Sequence, residues 1–186
     1  MIIRKANISD SKHIAPILLL AMEDLIYKFI AKKDYAAAKD FLQYFVEKEN
    51  NQYSYQNCFV AEADNEIIGA VNIYNGADLE VLRNPIVEYV RTNFNSEFDP
   101  EFESQAGEFY IDTLGVNPHH RGKGIGSKIL QFLIEEYVHK NKQTLGLLVD
   151  EDNPLAKNLY LKLGFKVVGE KKLVGKKLDH LQISAN

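Results

Sequence analysis

The sequence holds a single cysteine and no tryptophan. One thiol, Cys58, excludes an internal disulfide and suits a reducing compartment. The five histidines (His13, His119, His120, His139 and His180) form no zinc-ligand spacing with it, so no metal is expected. No run of about 18 apolar residues offers a membrane span. Basic residues are not in excess: 22 Lys and Arg against 26 Asp and Glu leave a net charge of −4. Proteins that grip nucleic acid concentrate Lys and Arg instead, so no nucleic-acid partner is expected. Repeats and low-complexity linkers are lacking. The one leader-like stretch is apolar Ile14–Met22 behind Arg4, Lys5 and Lys12. Asp10 interrupts its basic flank, and Glu23 and Asp24 follow where small residues should mark a cleavage site. A cytoplasmic protein, neither secreted nor membrane-bound, is the expectation.

What is present suits one domain over residues 1–186, which at this size can bury roughly 70% of its unfolded surface without a staple. Ile2–Ala6 reads as a first strand. Ile14, Ile17, Leu18, Ala21, Leu25 and Phe29 then recur at helical spacing. A second amphipathic helix is expected near Asp34–Lys48. A hairpin follows, Cys58–Ala63 and Ile67–Tyr74 around Asp64–Asn65. The pattern loosens from Gly76 to Gly107, an insertion with a short helix over Val81–Val90. Within it, Ser96–Glu108 carries Glu97, Asp99, Glu101, Glu103 and Glu108 with no basic residue.

The second half is sharper. Phe109–Val116 reads as a strand, and Ile125, Ile129, Leu130, Leu133, Ile134 and Val138 mark a helix. Thr144–Val149 has the continuous apolar run of a strand buried on both faces. Asn153 and Pro154 open a further helix with Leu155, Leu159 and Leu163 on its apolar side, ended by Gly164. Phe165–Glu170 and Leu178–Ser184 complete the strands. Strands alternating with helices imply a mixed α/β sheet with a parallel pair at its centre.

Between strand and helix lies Arg121–Gly126, RGKGIG. Amides at a helix start have no internal partner, and the positive end of the helix dipole stands behind them. Glycines at 122, 124 and 126 let an anion approach the backbone, while Arg121 and Lys123 add charge. Such a loop can hold a pyrophosphate. It is not a Walker A loop, and the dinucleotide spacing fails at Ser127 and Ile129.

The R-x-x-G-x-G spacing at 121–126, after LGV at 114–116, resembles the acetyl-CoA-binding motif of the GNAT superfamily of N-acetyltransferases. NPLAKNLYLKLGF at 153–165 is similar to that superfamily's second signature, and IIRKANISD to its opening. The resemblance spans most of the chain and is thinnest over 76–107. It implies an α/β fold of the α+β type: a central mixed sheet of six to seven strands, splayed between its parallel central strands, with helices on both faces. It also implies transfer of the acetyl group of acetyl-CoA to a primary amine on a small molecule or protein, by a monomer or homodimer.

The resemblance further suggests roles. Leu114 and Val116 would bond the pantetheine amides. Arg121, Gly122, Lys123, Gly124, Gly126 and Ser127 would face the pyrophosphate. Asn153 would reach the cofactor from the far side, or simply cap its helix. Tyr160 matches the family's general acid, although its spacing also fits a core aromatic. The base is open between Asp112 and Glu108, which share strand parity with Tyr110 and Leu114. A base there would take the ammonium proton. Cys58 reads as a core thiol, not a nucleophile, and His180 borders the acceptor side. The acidic stretch is either a solvated face or a wall that attracts a cation. A non-catalytic acyl-CoA-binding module is the alternative function.

Overall fold

The computed structural model describes residues 1–173 and 175–185. Among them seven strands form one sheet: β1 (Ile2–Lys5), β2 (Cys58–Ala63), β3 (Glu66–Asn75), β4 (Phe109–Val116), β5 (Leu145–Asp150), β6 (Lys166–Leu173) and β7 (Lys176–Ile183). Their order is β1-β2-β3-β4-β5-β7-β6. Every neighbouring pair is antiparallel except β4–β5. The β2–β3 turn has Asp64 and Asn65 at φ 52° and 63°. Positive φ at both central residues is what a tight twisted hairpin demands, and Asp and Asn tolerate it.

Helices cover both faces, each over its own core. Helices α1 (Ser11–Phe29), α2 (Tyr35–Val46) and α3 (Leu79–Asn93) pack Ile14, Leu18, Phe41, Leu42, Ile86 and Val90 against one face. Helix α4 (Ile125–Leu133), its π-helical continuation Ile134–Lys140 and α5 (Pro154–Lys162) cover the other. There Ile129, Leu130 and Leu133 meet Val71, Ile73, Ile111 and Leu147. The expected short helix of the insertion is in fact α3, 15 residues long and running through Pro85. In α5 the apolar side is Ala156, Leu159, Tyr160 and Leu163. Leu155 is a correction: it is 83% exposed, because the i, i+3, i+4, i+7 stripe begins one residue later.

One irregularity sets up the site. Strand β4 pairs with β3 as Asn72↔Thr113 and then Ile73↔Ile111, so Asp112 is an extra, unpaired residue. This β-bulge falls just where β4 leaves β5, since their parallel ladder holds only Phe109↔Leu145, Tyr110↔Gly146 and Ile111↔Leu147. A bulge bends and twists its strand. Beyond it the two central strands part, leaving a wedge-shaped gap.

Candidate active site

The gap opens toward the glycine-rich loop. After β4, Asn117 accepts a hydrogen bond from the His119 amide and closes a single turn over Pro118–His120. Gly122 and Gly124 then take φ of 77° and 72°, and a Cβ at either would meet nothing within 4 Å. The left-handed backbone costs most residues about 1–2 kcal/mol, so glycine suits both turns. Gly124 caps α4 with no side-chain bond, and the first internal bond of that helix runs from the Lys128 amide to the Gly124 carbonyl. The amides of Ile125, Gly126 and Ser127 therefore point out of the helix start. Arg121, Lys123 and Lys128 are exposed around them. The fit to a diphosphate is physical: open space, free amide donors and uncompensated positive charge.

The two sides of the gap differ. On the α4 side, Leu114 and Val116 pack with the second core, and a Cβ at Gly126 would stand 3.5 Å from Leu114. Tyr160 lies on this side too, edge-on to Phe165 at 5.9 Å. Burial raises its phenol above the usual range, and its hydroxyl has no hydrogen-bond partner among the described residues. Asn153 is a helix cap, accepting from the Ala156 amide at 3.2 Å.

On the opposite face lies a buried polar network. Asp112 Oδ1 accepts from Gln52 Nε2 at 2.9 Å and lies 3.2 Å from the Tyr74 hydroxyl. Asp112 Oδ2 accepts from Thr113 Oγ1 at 2.9 Å. Gln52 Nε2 also donates to Glu103 Oε1 at 2.9 Å. Arg83 donates from Nη2 to Glu103 Oε1, from Nη1 to the Glu101 carbonyl and from Nε to Gln52 Oε1. Burial and then the charge of Glu103 push the Asp112 carboxyl up to about 6, against the pull of Thr113, Arg83 and Gln52. The residues gathered here come from positions 52 to 112 and are joined only by folding.

Glu108 sits deeper on the same face. Its Oε2 lies 2.7 Å from His180 Nε2 and accepts from Gln182 Nε2 at 2.7 Å. The carboxylate fills the space above Gly146, where a Cβ would come within 1.9 Å of Oε2. A side chain at 146 would push this carboxylate away from His180 and Gln182, so glycine there serves close approach, not turn geometry.

A family model for the acetyltransferase (GNAT) family matches residues 22–165. The chain belongs to the GNAT acetyltransferase family. An acetyltransferase of known crystal structure is 31% identical, covering 100% of both chains with a TM-score of 0.83. The structure of yncA from Salmonella typhimurium with its cofactor acetyl-CoA shares the fold at 18% identity and a TM-score of 0.58, covering 100% of this chain and 94% of that one. A probable spermine N(1)-acetyltransferase from Bacillus subtilis subsp. natto (strain BEST195) is 32% identical over 82 residues, 42% of this chain and 54% of that protein. The chain thus spans about half the length of the curated relatives it matches.

Within this GNAT framework two sequence expectations need correction. Strand parity alone put Asp112 and Glu108 on one face with Tyr110 and Leu114. Glu108, Tyr110 and Asp112 do share a face, but the bulge turns Leu114 to the other side, against α4. The acidic stretch is also split. Glu97, Asp99 and Glu101 are exposed, whereas Glu103 and Glu108 are buried. Gln52, Tyr74, Arg83 and Gln182 had no local motif to mark them. The one available signal was Arg83, a lone arginine on the apolar side of α3, which is 7% exposed. Cys58 is wholly buried and its thiol is pushed up to about 12 by that burial, which suits a core residue. Among the described residues, no helix is long and apolar enough to cross a membrane.

Proposed function

We propose that this GNAT chain, residues 1–186 acting as one catalytic unit, moves the acetyl group of acetyl-CoA directly to a primary amine. The observation that carries the reading is the coincidence of three features at one point of β4: the end of the parallel ladder, the bulge, and a carboxylate at that bulge held near pH 6. The amides of residues 122–127 with Arg121 and Lys123 hold the diphosphate, and β4 at Leu114 and Val116 borders the pantetheine arm. Asn153 approaches the coenzyme from α5.

Asp112 is the base. At neutral pH it is mostly ionised, and its raised affinity for a proton lets it draw one from the incoming ammonium, directly or through a water. The neutral amine nitrogen attacks the thioester carbonyl carbon, a C–N bond forms, the C–S bond breaks, and the nitrogen sheds its second proton to solvent, which later restores the Tyr160 phenol. Tyr160, on the opposite face, gives its proton to the departing thiolate; a buried phenol stays protonated until that charge develops. Glu108 is less suited to be the base, because it is 2% exposed and packed over Gly146, whereas Asp112 is only half-buried.

The acceptor is a small polycationic amine in preference to a protein lysine. Its support is the 82-residue match to a spermine acetyltransferase and the three carboxylates on the acceptor face. The lone thiol, being buried, is compatible with a cytoplasmic protein. The test is thiol release from acetyl-CoA across a panel of amines, with acetylated product identified by mass. Release dependent on amine is expected. A chain stabilised by acetyl-CoA that acetylates nothing would be a binding module.

A further inference from the structure

The acceptor face carries more negative charge than its own hydrogen bonds use. Three carboxylates act on one phenol: the buried Tyr110 hydroxyl is raised by its burial and then by the charges of Glu103, Asp112 and Glu108. Its hydroxyl makes no hydrogen bond among the described residues. Two cations approach this group. Arg83 has all three of its nitrogens committed, to Gln52, the Glu101 carbonyl and Glu103 Oε1. Lys171 Nζ donates to the Glu103 backbone carbonyl at 2.9 Å, and burial lowers its hold on its proton despite Glu108 and Glu103 nearby.

Two oxygens are left over. Glu108 Oε1 and Glu103 Oε2 are sealed from solvent and have no donor among the described residues. Their residues are 2% and 3% exposed. Among the described residues, the partners of Glu108 are the His180 ring and the Gln182 amide, both on Oε2, with no ion pair to Lys or Arg. A buried carboxylate short of donors is costly, and native structures retain such a group where a ligand or water completes it. An ammonium, with three donors and one positive charge, supplies both missing terms.

We propose that Glu108, together with Glu103, forms a subsite for a second cationic nitrogen of the acceptor, so that an aliphatic diamine or polyamine is preferred over a monoamine. The inference rests on the amine-acetylating function above and adds residues that bind away from the reacting nitrogen. Glu108 and Asp112 stand four residues apart on β4, roughly 13 Å at the strand rise and less across a bulge. The two nitrogens of the acceptor are therefore separated by several methylenes.

The experiment compares kcat/KM for n-butylamine, 1,4-diaminobutane and spermidine in the parent chain, Glu103→Gln and Glu108→Gln. The parent should favour a diamine over the monoamine by at least tenfold, and each variant should bring that ratio toward one. Thermal melting with and without acetyl-CoA checks that each variant folds and keeps its coenzyme site. Glu103→Gln, which retains an acceptor for Arg83, carries the test if Glu108→Gln does not fold. Equal use of monoamine and diamine by the parent, or an equal loss for both in the variants, would overturn the subsite while leaving amine acetylation intact. Were no amine acetylated at all, the functional reading would fall. Calorimetric titration of spermidine would then decide the subsite: binding weakened in Glu103→Gln supports it, and no binding to the parent overturns it.

Discussion

The glycine-rich loop and the buried network on the acceptor face solve opposite problems. The loop offers backbone amides, in residues adjacent along the chain and exposed from Arg121 to Gly124. The network uses side chains from Gln52, Tyr74, Arg83, Glu103 and Asp112, spread over 61 positions and buried except for the half-buried Asp112. A backbone site depends on conformation, so it tolerates side-chain change but not a lost glycine. A side-chain site depends on charge balance, so it tolerates conformational adjustment but not a lost partner.

Removing a partner should therefore give the largest effect. Arg83→Met strands the buried Glu103 carboxylate and should lower unfolding free energy by about 3–5 kcal/mol, seen as an earlier urea midpoint. The matching change in the loop, Lys123→Met, should shift stability by less than about 0.5 kcal/mol. Equal effects would erase the contrast. Next comes chemistry. Asp112→Asn should cut kcat/KM by about 10²–10⁴. In the parent, activity should fall as pH drops through about 6, because the base must be ionised, and the Asn variant should lose that limb. A pH–rate profile with the limb retained would move the base elsewhere.

A smaller effect belongs to the loop's conformation. Gly124→Val forces a branched side chain into a backbone of φ 72° and into the approach of the phosphates. The free loop relaxes out of that conformation and must regain it on binding at about 1–2 kcal/mol, a roughly tenfold weaker acetyl-CoA Kd by calorimetry. The smallest structural effect should come from Tyr160→Phe. Its hydroxyl has no partner to lose among the described residues, so the melting temperature should hold while kcat falls. Unchanged kcat would make Tyr160 a core aromatic only.

The same contrast explains how far the sequence could be read. Helix α4, the hairpin at Asp64–Asn65, the continuous apolar strand β5 and the loop RGKGIG are written locally, in periodicity and in glycine spacing. Asp112 was visible as an odd carboxylate in an apolar strand, and the bulge that positions it was not. A one-residue insertion in a ladder leaves no mark on alternation until the partner strand is known, which is why Leu114 was put on the wrong face. Arg83 and Gln52 were invisible for another reason. Their role depends on meeting Glu103 across 20 and 51 positions, and nothing local encodes that encounter.

The glycine at 146 carries a consequence for the family at large. Because the Glu108 carboxylate occupies the volume of any side chain there, a change at one position bears on the other. A relative with Ala, Ser or Val at the position of Gly146 must have shortened, lost or re-aimed the acid at the position of Glu108. Inspection of those two columns alone would then sort GNAT chains into those that keep this buried acid over β5 and those that filled its place with bulk.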